Sequence, residues 1–159
     1  MDPLQQQLLE AARTNDLEAL RTALAQGVDP NVQDARGFSP LILASYHNQL
    51  QAVRELLQAG ADVNLPDHGG NTALMGACFK GYPEVARLLL DHGADLNRQH
   101  GNGGTALMFA VMFGRNDLAA LLLQHKADKE LCDARGLRAI DLAVQQGNVE
   151  AVDLLEGGG

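Results

Sequence analysis

The chain repeats itself every 33 residues, and nothing else in it limits the possible folds as severely. Gly37, Gly70, Gly103 and Gly136 are spaced by 33, as are Leu41, Leu74, Leu107 and Ile140, and as are Ala44, Ala77, Ala110 and Ala143. A period between about 20 and 50 residues marks stacked units that touch only their neighbours. The working part of such a molecule is a long shared surface and not one enclosed pocket. The pattern points to a binding protein ahead of an enzyme.

Composition adds bounds. A chain of 159 residues with 46% hydrophobic side chains buries a substantial core and reads as one domain over 1–159. A formal net charge of -8 opposes a nucleic-acid backbone or an anionic membrane surface as partner. No stretch approaches the ~20 apolar residues of a membrane span. Met1 to Asp16 has no basic segment and no apolar run of leader length. A cytoplasmic location is expected, or a periplasmic or secreted one if a leader has been removed. Cys78 and Cys132 fall at non-equivalent positions with no CxxC pairing, so both read as reduced thiols.

Asp67 to Gln99 shows the plan of one unit. Asp67-His68-Gly69-Gly70-Asn71 is a turn-forming cluster, Thr72 is a helix N-cap, and Ala73 to Phe79 is a short apolar helix. Gly81 ends it, since the residue past a helix C-terminus often needs positive φ. Pro83-Glu84 start a second helix whose Val85, Leu88 and Leu89 form an apolar stripe, and Gly93 stops it. Ala94-Asp95-Leu96-Asn97 leads into the next unit, with counterparts in Val28-Asp29-Pro30-Asn31, Ala61-Asp62-Val63-Asn64 and Ala127-Asp128-Lys129-Glu130. There Asp and Asn are expected to satisfy local backbone groups. Both helices are shorter than the ~12–15 residues at which isolated helices become marginal in water, so stacking is obligatory.

Gly37-Phe38-Ser39-Pro40-Leu41-Ile42-Leu43-Ala44, Gly70-Asn71-Thr72-Ala73-Leu74-Met75-Gly76-Ala77 and Gly104-Thr105-Ala106-Leu107-Met108-Phe109-Ala110 resemble the ankyrin repeat, with its Thr-Pro-Leu-His-x-Ala signature. The resemblance covers almost the whole chain. It implies an all-α solenoid of about five helix-turn-helix units with projecting β-hairpin-like loops. The units run 1–33 as an amino-terminal cap, then 34–66, 67–99 and 100–132, then 133–159 as a carboxy-terminal cap. Two departures carry consequences. The signature histidine is replaced by Ile42, Met75, Met108 and Asp141, so its bonds between units must be made otherwise or lost. Lys126 stands where Gly27, Gly60 and Gly93 stand, so strain and a looser or reshaped junction after Gln124 are expected.

Several features look chemical in isolation, and register demotes them. Gly101-Asn102-Gly103-Gly104 lacks both GxGxxG and a P-loop lysine and falls at a hairpin position. His92 and His125 are equivalent residues one unit apart, about 10 Å at usual helix packing, too far to share a zinc ion. Ser45-Tyr46-His47 places a hydroxyl near an imidazole, yet successive helical residues point in different directions. Cys78 reads as a buried, inert thiol. No catalytic residue, cofactor or metal site is expected.

In the ankyrin family the loop tips and the exposed side of each first helix line a concave face used for partners. On this chain those positions hold Arg36, Phe38, His68, Asn71 and Arg135 at the tips, and Tyr46, His47, Phe79, Lys80, Met112 and Phe113 on the first helices. Aromatic and Met side chains on a concave surface suit a protein-binding hot spot. Tyr82 and Phe109 are expected to fill the stack instead. The reading is a non-catalytic protein-protein interaction module, an adaptor or regulator. The alternatives are an inhibitor or immunity-type protein that occludes a partner enzyme, and an enzyme with an unrecognised site. Small bacterial ankyrin proteins include the inhibitor kind, and the Ala, Leu and Gln content suits a bacterial chain. A monomer is expected, with self-association through the short last unit as the alternative.

Overall fold

The computed structural model describes residues 1–157. Ten helices and no β-strand occur among the described residues. They are α1 Pro3–Thr14, α2 Leu17–Ala25, α3 Pro40–Tyr46, α4 Leu50–Gln58, α5 Ala73–Lys80, α6 Pro83–Asp91, α7 Ala106–Met112, α8 Asn116–Gln124, α9 Ala139–Gln146 and α10 Val149–Gly157. Each odd-numbered helix folds back on the even-numbered one that follows, and the pairs stack in chain order. The odd helices touch one another far more closely than the even ones do. The stack therefore curves with its first helices on the inner side. No helix among the described residues is long and apolar enough to cross a membrane.

The first helices begin where a side chain can take up a backbone donor that has no partner inside the helix. The hydroxyls of Ser39, Thr72 and Thr105 accept from the N–H groups of Ile42, Met75 and Met108 at 3.2, 3.4 and 3.2 Å. In the last unit Arg138 holds this place, and the Asp141 carboxylate reaches back to its N–H at 2.9 Å. At the other end of each first helix the chain needs positive φ, supplied by Asn15, Asn48, Gly81, Gly114 and Gly147. Asparagine tolerates this region better than most side chains.

The repeating apolar residues form the core. Leu41, Leu74 and Leu107 are buried, and Ala44, Ala77, Ala110 and Ala143 are fully buried, small enough to let successive first helices close up. Leu56, Leu89, Leu122 and Leu155 do the same work along the second row.

The expected hairpin loops are hydrogen-bonded turns without strand. Asp34, Asp67, His100 and Asp133 donate their N–H groups to Phe38, Asn71, Gly104 and Leu137 at 3.1, 2.8, 3.0 and 2.9 Å. One rung joins each tip to the next: His68 to Arg36 at 3.1 Å, Gly101 to Gly69 at 2.9 Å and Ala134 to Asn102 at 2.9 Å. Gly37 is required by that closeness, because it sits at φ 83° and an added Cβ would lie 2.6 Å from the His68 nitrogen.

Side-chain amides bond neighbouring units to one another. Gln33 donates to the carbonyls of Gly37 and of Pro66 in the next unit at 2.8 and 2.9 Å, and Gln99 donates to Gly103 and Cys132 at 2.8 Å each. The amide oxygens of Asn31, Asn64 and Asn97 accept from the N–H groups of Asp62, Asp95 and Asp128 at 2.7, 2.7 and 2.8 Å. Those asparagines tie unit to unit, whereas a local role was expected of them. The aspartates two residues before them are the local caps, as with Asp62 accepting from Asn64 at 2.9 Å.

The junction after Gln124 is a correction. Lys126 does adopt φ 70°, but the turn is not reshaped. Lys126 and Ala127 donate to Leu123 and Leu122 at 3.0 Å each, as Gly93 and Ala94 donate to Leu90 and Leu89 at 3.0 Å each. The buried Leu121 and Leu122 anchor this helix end, so the lysine takes the strained conformation instead of the backbone moving.

At the far end Val144 and Val149 are 63% and 70% exposed. Val144 occupies the column of Ser45, Cys78 and Val111, all fully buried against the following pair. Gly158 and Gly159, part of the segment named for self-association, lie outside the described residues.

Candidate partner-binding groove

Each first helix turns one face into the stack and leaves the other over the loop tips. On that inner surface Tyr46 of α3, Phe79 of α5 and Phe113 at the end of α7 form a row. The rings of Tyr46 and Phe79 stack with centroids 6.4 Å apart at 18°, and Phe79 meets Phe113 edge-on at 4.5 Å. Tyr46 and Phe113 stay 41% and 42% exposed, so the row is open to solvent at both ends. Phe79 is half-buried between them. Lys80 carries its ammonium 5.0 Å from the Tyr46 ring centre, and His47 lies edge-on to the same ring at 5.4 Å.

Two pockets flank this row. One, of about 480 Å³, is lined by Arg36, Phe38, Tyr46, His47, Asn71 and Phe79 among the expected residues, together with Met75, Gly76 and Phe109. The other, of about 860 Å³, takes in Asn71, Met112 and Arg135 with His100, Met108 and Phe109. The structure therefore gathers ten of the eleven expected residues on one surface: eight line the pockets, Lys80 covers Tyr46 and Phe113 covers Phe79. His68 is the one left out. It packs its backbone and its ring on the Gly37 turn and lines neither pocket.

Phe109 packs against the core as expected of it, and it also has a face that the sequence did not reveal. It lies half-buried and lines both pockets, 6.4 Å from Phe79 and 5.1 Å from the His100 ring. Its register column reads Leu43, Gly76, Phe109, and the missing side chain at Gly76 opens the space that Phe109 borders. Tyr82, expected to fill the stack, packs against the core.

His100 was not singled out either. It replaces the aspartate found at 34, 67 and 133. Those aspartates each accept a tip N–H at 2.9 Å, from Arg36, Gly69 and Arg135, and His100 accepts from Asn102 through Nδ1 at the same distance. Accepting through Nδ1 requires the neutral ring protonated on Nε2. A side chain at Gly104 would collide with that ring, its Cβ 2.6 Å from Nε2, so the ring takes the space that Phe38 and Asn71 fill in their own units.

The features that looked chemical resolve into structure. Ser45 is fully buried while Tyr46 and His47 are exposed, so hydroxyl and imidazole face opposite ways. The Nδ1–H groups of His92 and His125 donate to the carbonyls of Leu88 and Leu121 at 2.9 Å each, capping their own helices. Burial and the charge of Asp117 push the Cys78 thiol up to about 12. Burial works to raise the Asp133 carboxyl, but Arg135 and the N–H groups of Leu137 and Arg135 outweigh it and hold it below the usual range.

The fold and this surface define an open helical solenoid with an aromatic groove. The sequence profile of ankyrin repeats (3 copies) matches residues 8–100 and 97–158. The chain belongs to the ankyrin-repeat family, whose members are protein-protein interaction modules, in general without catalysis of their own. No curated protein matches the chain.

Proposed function

We propose that this chain is a single interaction domain whose five helix pairs correspond to units 1–33, 34–66, 67–99, 100–132 and 133–159. It captures a partner protein on its inner face as an adaptor or regulator. The observation that carries the reading is the half-open aromatic row Tyr46–Phe79–Phe113 with Phe109 and Met112 beside it. Rings of this kind bury large area at low entropy cost when a partner covers them, which is how interface anchors work. Arg36, Phe38, His47, Asn71, Lys80 and Arg135 surround the row as its polar and shaping contacts, and His68 serves only through the loop tip. Both cysteines are free thiols, which suits a reducing compartment such as the cytoplasm.

Capture from cells of the source, compared between the wild-type chain and a Tyr46→Ala, Phe79→Ala double variant, tests this. A specific partner is expected to be retained by the first and lost by the second, with thermal unfolding still cooperative. A folded double variant that keeps the partner defeats the reading. Assaying the captured partner then separates tethering from occlusion, since an inhibitor abolishes its turnover at stoichiometric ratio.

A further inference from the structure

The groove's charge differs from that of the molecule around it. The chain holds 20 acidic and 12 basic Lys and Arg residues, yet α3, α5 and α7 contain no carboxylate. The acidic excess sits elsewhere: Glu18, Glu84, Asp91, Asp117, Glu150 and Asp153 on the second helices, and Asp29, Asp62, Asp95 and Asp128 in the turns that follow them. Only two carboxylates line the pockets, and both are engaged. Asp67 accepts from the N–H groups of Gly69 and Asn71 at 2.9 Å each. Asp133 accepts from the N–H groups of Arg135 and Leu137 and pairs with the Arg135 guanidinium at 2.8 Å. Arg36 lines the smaller pocket and Lys80 stands over Tyr46, and neither has a carboxylate partner among the described residues.

Building on the partner-capture reading above, we infer that the occupant of this groove is an acidic segment of a partner protein that carries bulky apolar side chains. Its carboxylates pair with Arg36 and Lys80. Its apolar side chains enter the pocket of about 480 Å³ between Phe38, Tyr46, Phe79 and Phe109, a volume within the ~300–1,000 Å³ of ordinary ligand clefts. A basic segment would leave both cations facing like charge, and a neutral one would cover them unpaired, which is costly. The acidic convex side repels the same segment, so the field of the whole molecule guides it to the inner face. A single-stranded nucleic acid is the less favoured occupant. It needs cations along its whole backbone, whereas the groove sets Arg36 and Lys80 beside its aromatic row.

A display library of short randomised peptides, selected on the immobilised full-length chain, reads the preference directly. Enriched peptides are expected to be rich in Asp and Glu around Phe, Leu, Met or Trp. Their affinity is expected to fall about tenfold with Arg36→Glu or Lys80→Glu and to weaken as salt rises. Peptides with the acids changed to lysine are expected to bind those two variants better than the wild type. Enrichment of neutral or basic peptides, indifference to both charge reversals, or enrichment of none overturns the inference. Capture of an oligouridylate probe in a Tyr46-dependent manner overturns it as well and assigns the groove to nucleic acid. Tyr46→Ala keeps the two readings apart. If it abolishes binding of neutral peptides, the groove stands and only its acidic preference falls. If it changes nothing, the groove itself is wrong.

Discussion

The two faces of the same first helices obey different rules. On the buried face Leu41, Leu74 and Leu107 repeat, Ala44, Ala77 and Ala110 repeat, and Ser45, Cys78 and Val111 are all compact. On the exposed face the same register reads Tyr46, Phe79, Met112 and then His47, Lys80, Phe113. The buried face meets a copy of its own kind, so each unit poses the same packing problem and receives the same answer. The exposed face meets no copy. Its residues are aperiodic and aromatic, free of the packing constraint that repeats, and this is why the proposed partner site rests on departures from the period and not on the period itself.

The sharpest contrast concerns cysteines on the two sides of burial. Cys78 is fully buried with its thiol pushed up to about 12, while Cys132 is exposed. Burial keeps the Cys78 thiol in its unreactive neutral form. A chromogenic disulfide reagent is expected to titrate one thiol in the native protein and both after denaturation. Two fast native thiols would break the buried half of the comparison.

Truncation on either face follows. Leu74→Ala removes a residue only 1% exposed and is expected to cost about 2–5 kcal/mol in urea unfolding. Phe113→Ala, at 42% exposure, is expected to cost under about 1.5 kcal/mol, much of it the edge-on contact with Phe79. Equal costs would mean that the aromatic row is core and not surface.

Lys126 sharpens the argument from a turn on neither face. Replacing it with glycine relieves left-handed strain of about 1–2 kcal/mol and returns roughly 0.5–1 kcal/mol to the unfolded chain as entropy. A net gain of up to about 1 kcal/mol is expected, and no gain would remove the strain.

The smallest effect lies on the convex side. The bond from Arg21 to Glu55, at 2.6 Å, holds the Glu55 carboxyl below its usual range. With the folded value lowered, the pair's stabilisation is present above the ordinary glutamate range and is lost as pH falls through the folded value. Glu55→Gln is expected to flatten the acid limb of the stability curve slightly and leave partner capture unchanged. A loss of capture would put the working surface on the wrong side.

The stack was legible because every unit states it again. Thr72, Leu74, Ala77 and Gly81 each have a known local task, and the period supplies the neighbour against which the apolar stripe is buried. What lies between units was harder to see. Asn31, Asn64 and Asn97 recur with the same spacing whether they bond at home or across the junction, so the period is blind to their real partners. Phe109 packs on the core as the period implied, but its share in the pockets depends on the absent side chain at Gly76 in the preceding unit. His100 had a visible signal, a lone imidazole in a column of aspartates. Lys126 was anticipated in its own φ but not in its surroundings, since the resistance of the turn comes from Leu121 and Leu122 below it.

One measurement addresses the central claim most directly. A photoreactive benzoylphenylalanine is placed at Tyr46 or Phe113 on the inner face, and at Arg87 on the exposed side of α6, and each chain is irradiated with its captured partner. Crosslinks from the two inner positions and none from Arg87 are the predicted result. Partner crosslinks from Arg87 with silence at positions 46 and 113 would contradict the account.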